Sequence, residues 1–74
     1  MLENLARELA FYEYMRSDCQ RLHAERDKIE YWDAKYHGLA RAIEIVTGFY
    51  PIAICHGDSV EVHIGNYQAI KYFG

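Results

Sequence analysis

The chain has 74 residues, 51% of them hydrophobic and 15% aromatic, and a formal net charge of −3. That composition excludes a disordered segment, and the acidic balance excludes an electrostatic hold on DNA or RNA, which needs a clustered basic face. A single domain of this size (residues 1–74) buries only about 60% of its unfolded surface, so a staple or a partner is the expected supplement.

Cys19 and Cys55 sit in unlike contexts and do not form a disulfide-dense framework. Charges at Glu3, Arg7, Glu8, Glu13 and Arg16 interrupt the first segment, which therefore does not read as a signal peptide. No apolar run approaches the roughly 20 residues that span a bilayer. The expectation is a cytoplasmic protein without a membrane segment.

Residues 1–48 carry helical periodicity. Leu2, Leu5, Leu9 and Tyr12 recur at three- and four-residue steps, which line one face of a helix. Met15, Leu22, Ile29, Tyr36 and Ile43 then fall at successive sevens, and Trp32, Leu39 and Val46 add a second column, in the 3,4 alternation of a packing seam. Oppositely charged pairs such as Glu3–Arg7 and Arg26–Glu30 support the exposed faces. Two arrangements fit this pattern. A continuous helix of about 45 residues would run about 67 Å and need a second copy to cover its seam. A helical hairpin would turn near "MRSDCQ", where Ser17 and Gln20 match a capping box. The lack of glycine or proline there favours the continuous helix, so Met15, Leu22, Ile29, Trp32, Tyr36, Leu39 and Ile43 are expected to form an oligomer seam. Gly38, the one glycine inside the pattern, marks either a helix break or a close approach of backbones.

Gly48 suits the left-handed position after a helix, and Pro51 bars its continuation. From residue 50 the period becomes two. "PIAIC", "SVEVHI" and "YQAIKYF" read as three strands of an antiparallel meander, with Gly65-Asn66 as a two-residue hairpin turn. The fold class is therefore α+β. This register gathers Ala53, Cys55, Val60, Val62, Ile64, Tyr67 and Ala69 on the face that covers the helices. The opposite face holds Ile52, Ile54, Ile70 and Tyr72 around Glu61, His63 and Gln68. It is too apolar for a solvated sheet surface and is the candidate ligand or partner face.

Chemistry-bearing groups are sparse. Glu61 and His63 lie two apart on one strand, with Gln68 opposite His63, but no nucleophile joins them, so no catalytic residues are expected. Cys19 and His23 are one helical turn apart and supply two of the three or four ligands zinc requires. His56 and His63 are expected about 13 Å apart along the sheet. Neither a metal nor a cofactor is expected.

The segment "AKYHGLARAIEIVTG" resembles small proteins of unknown function encoded by phages and prophages. These end a helix in a Tyr-x-Gly-x-x-x-Ala-x-x-Ile-x-Thr-Gly pattern before a short terminal sheet. The matching residues are Tyr36, Gly38, Ala42, Ile45, Thr47 and Gly48, and the likeness covers about fifteen residues. It implies a viral accessory protein without catalytic residues, of the kind that inhibits a bacterial defence system. Such a protein binds either a defence protein or the system's nucleotide messenger, of cyclic or ADP-ribose type. The expectation is a homo-oligomer acting in the host cytoplasm. The alternative is an assembly protein whose only activity is coiled-coil self-association.

Overall fold

The computed structural model describes residues 1–74 and contains two helices followed by a three-stranded sheet: α1 (Leu2–Arg21), α2 (Arg26–Thr47), β1 (Ile52–Cys55), β2 (Ser59–Ile64) and β3 (Tyr67–Tyr72). The longest dimension is 34 Å, half of what a continuous helix would need. The helical half is therefore a hairpin, and it turns at Leu22–Glu25 rather than at Ser17. Ser17 remains inside α1, and its hydroxyl donates to Glu13 Oε2 at 3.0 Å instead of capping a second helix.

The turn lacks glycine because a histidine takes the left-handed position. His23 has φ of 54° and is the one non-glycine residue at positive φ. Its N–H donates to the Gln20 carbonyl at 3.2 Å, and the Ala24 N–H donates to the Cys19 carbonyl at 2.9 Å. These two bonds are the 5→2 and 6→1 closures of a Schellman motif. Histidine is among the side chains that tolerate this region better than most.

Within one chain the hairpin turns much of the heptad column inward, so covering those residues does not require a second copy. Tyr36 and Ile43 are buried within one chain, while Met15, Ile29, Trp32 and Leu39 are half-buried. Trp32 meets Phe11 of α1 edge-on at 5.6 Å. Leu22 caps α1 at the turn and is 61% exposed. Arg16 ties the helices together: it reaches Glu13 at 3.3 Å and Asp33 of α2 at 3.4 Å, and its guanidinium lies 4.7 Å from the centre of the Tyr36 ring. Gly38 does not break α2, and no backbone of its own chain approaches it, since a Cβ added there would meet nothing within 4 Å.

α2 ends at Gly48, which adopts φ of 84° and donates to the Glu44 carbonyl at 2.8 Å. The sheet follows in the order β1-β2-β3. Its register sets Ala53 opposite Val62, Val62 opposite Ala69 and Ile64 opposite Tyr67. Gly65 has φ of 60° while Asn66 stays at negative φ, which is the II′ pattern of a two-residue hairpin. The Phe49 ring covers Gly65 so closely that a Cβ there would lie 2.9 Å from it.

α1 is the middle layer. It packs against α2 on one side and against all three strands on the other, whereas α2 meets the sheet only sparsely. Ala6 and Ala10 let α1 approach both neighbours, and Leu9, Ile43, Val60 and Val62 fill the core between them. Full burial of each of these larger side chains stabilises the fold by about 1.5–3 kcal/mol. Tyr14 stacks on Phe73 at 4.2 Å and ties α1 to the end of the sheet. Only 12 of the 74 residues are buried, so several large apolar side chains remain outside. No helix is long and apolar enough to cross a membrane.

Candidate functional site

The outer face of the sheet is built by strand alternation. Side chains of even number in β1 and odd number in β2 point away from α1, and the antiparallel pairing joins them into rows across the strands. One row is Ile54–Glu61–Ile70, and the next is Ile52–His63–Gln68. Tyr72 stands opposite Ser59 at the end of the face. Seven residues expected on one face are thus brought together: Ile52, Ile54, Glu61, His63, Gln68, Ile70 and Tyr72. Its apolar members are open to solvent, with Ile52 59%, Ile54 43%, Ile70 55% and Tyr72 72% exposed.

Glu61 is the electrostatic centre of this surface. Its carboxylate bonds the His63 imidazole through one oxygen and the His56 Nε2 through the other, the latter at 3.2 Å. His63 and then His56 hold the Glu61 carboxyl below its ordinary value of 4.5, because both hydrogen bonds favour the ionised form. The sequence pattern misses the part played by His56. It lies beyond β1, and the extended-strand spacing to His63 overstates the gap, because Glu61 stands between them and bridges both. The two imidazoles flank the carboxylate rather than converging on a common point. No group of three His, Cys, Asp or Glu side chains is placed to hold a metal ion. Cys19 and Cys55 are both free thiols.

Two further features lie outside the expected site. Ile45, Val46 and Phe49 form an exposed apolar end to α2, although Val46 belongs by spacing to the inner column. On the opposite side of the molecule from α2, a groove of about 230 Å³ runs between α1 and β3. Ala6, Ala10, Val62 and Ala69 line its interior, and Glu3, Arg7 and Lys71 carry its charge. The groove exists because three of those positions are alanine and α1 lies closest to β2. Nothing in the residue pattern marks it, since small side chains read equally well as close packing.

The buried phenol is Tyr36. Burial first, and the nearby Glu13 carboxylate second, raise its pKa above 10.0, while Arg16 and the Ala53 backbone oppose the shift. It is a structural contact between α2 and the β1 edge and takes no part in the outer face.

Compared with protein-family models, with curated proteins and with solved structures, the chain matches none.

Proposed function

We propose that this chain is a non-enzymatic binding protein that works as a homo-oligomer, of the phage accessory type that inhibits a bacterial defence system. The observation that carries the binding role is the outer sheet face. Three isoleucines and a tyrosine stand exposed on one continuous surface, and their polar neighbour Glu61 is already held by His56 and His63. Apolar area concentrated in this way is the kind that proteins cover with a partner, and tyrosine adds a polar handle to it. The defence role rests on the resemblance carried by Tyr36, Gly38, Ala42, Ile45, Thr47 and Gly48. The occupant is then a host defence protein or a cyclic or ADP-ribose-type nucleotide messenger, and the site of action is the host cytoplasm.

Native mass spectrometry of protein purified from a bacterial host tests this reading, because it reports stoichiometry and retained ligand together. The expected result is an oligomer that carries a nucleotide mass or forms a defined complex with a defence protein, and Ile54→Glu should remove either occupant while leaving the fold intact. A thermal-shift panel of cyclic di- and trinucleotides and ADP-ribose derivatives separates the two occupants. A monomer that raises its melting temperature with none of these, and forms no complex with a defence protein, refutes the proposal. An oligomer without any other occupant would leave assembly as the function.

A further inference from the structure

The two edges of the sheet differ. β1 is four residues long and follows Pro51, which has no N–H, and the Tyr36 hydroxyl faces the Ala53 backbone at that edge. β3 is six residues long, and nothing caps its outer side. Which of its backbone groups are free follows from the register. The two-residue turn makes Ile64 and Tyr67 a hydrogen-bonded pair, and alternation then directs the backbone of Ala69 and Lys71 toward β2. The Phe73 N–H, which donates to the Asp58 carbonyl at 2.7 Å, continues the same series. The N–H and C=O groups of Gln68, Ile70 and Tyr72 therefore point away from the sheet. Such an edge is a template for another strand unless it is guarded.

We propose that a second copy of this chain pairs with β3 antiparallel, with Ile70 opposite the partner's Ile70 across a two-fold axis. This register sets Gln68 opposite the partner's Tyr72, so every free donor and acceptor on both edges finds a mate. It also accounts for Lys71, the one charged residue on the inner face of the sheet. Lys71 makes no salt bridge in its own chain, and its ammonium rests 5.8 Å from the Phe73 ring. In the pair it stands opposite the partner's Ala69, which lines the groove between α1 and β3. Its aliphatic stem fills that groove, and its ammonium reaches the rim, where the Glu3 carboxylate accepts from Arg7 at 2.8 Å and has a second oxygen to offer. On the outer face the row Ile54–Glu61–Ile70 continues into the partner's Ile70, so the two candidate faces become one. Each copy spends its β3 edge on the other, so the two-fold pairing closes at two copies. The inference rests on the self-association proposed above and names the surface through which it occurs.

Amide hydrogen exchange by NMR, beside sedimentation equilibrium, tests the pairing on the full chain. A dimer whose Ile70 and Tyr72 amides are protected supports it. A dimer in which those amides exchange freely overturns the edge pairing and leaves self-association standing. A monomer at every concentration overturns both. Protection that appears only on adding a different protein overturns the choice of a second copy. Ile70→Pro deletes an outward N–H without touching the bonds between β2 and β3, and should weaken dimerisation on the order of a hundredfold. Should that variant fail to fold, Lys71→Glu places like charges beside Glu3 at an exposed position and should weaken the dimer about tenfold. Dimerisation at wild-type strength in a folded variant of either kind overturns the proposal.

Discussion

Gly38→Ala separates two views of the exposed side of α2. The glycine lies inside a 22-residue helix and faces open space, with no atom within 4 Å of an added Cβ. The methyl group therefore gains no packing and meets no clash, and the whole effect is backbone: alanine is better than glycine in a helix interior by about 0.8–1.0 kcal/mol. At about 2.1 cal/mol/K per residue, a chain of 74 residues has an unfolding entropy of roughly 0.16 kcal/mol/K, so the melting temperature should rise by about 6 °C. Thermal denaturation followed by far-UV circular dichroism reads this directly, with wild type and variant at one concentration because association shifts the midpoint. A lower midpoint, or a loss of mass by light scattering, would refute the reasoning. Either would mean that a second backbone lies against Gly38 and that α2, not the sheet edge, joins the copies.

His23→Gly should stabilise the chain by about 0.5–1 kcal/mol, since φ of 54° costs an L-residue more than the extra chain entropy of glycine; a urea midpoint no higher than that of wild type contradicts it. Gly65→Ala should destabilise by about 2 kcal/mol or more, because φ of 60° and the Phe49 ring at 2.9 Å both oppose the Cβ, and Phe49→Ala should recover part of the loss. Acid should weaken the fold through Glu61. Its folded pKa lies below 4.5, so the stability it confers is in place above that value and is lost as pH falls through the folded pKa. Urea midpoints measured downward from pH 5 should fall more steeply for wild type than for Glu61→Gln, and parallel curves would remove Glu61 from the account.

The meander is legible in the sequence because strand period and turn chemistry agree there. Gly48 and Pro51 end the helix, Gly65 supplies the positive φ of a two-residue hairpin, and alternation on either side leaves one register that buries Val60, Val62 and Ile64 together. The helical half is harder. Two antiparallel helices and one long helix show the same three- and four-residue steps, and the turn at "LHAE" contains neither glycine nor proline. His23 takes the left-handed position, at a residue where the spacing from Met15 to Ile29 passes through Leu22 uninterrupted. The outer face follows from alternation alone, so its seven residues are placed correctly. Its charge arrangement depends on the "HGD" loop folding His56 back toward Glu61, which no periodicity encodes.

The position of α1 between two layers also governs how the molecule comes apart. Leu9 and its neighbours serve the helical hairpin and the sheet at once, so neither half retains a core when the other leaves. Helix and meander are distinct in sequence but should unfold in a single cooperative transition. Trp32 fluorescence, which reports the α1–α2 contact, and the Tyr14–Phe73 stack, which reports the end of the sheet, should therefore be lost at the same denaturant concentration.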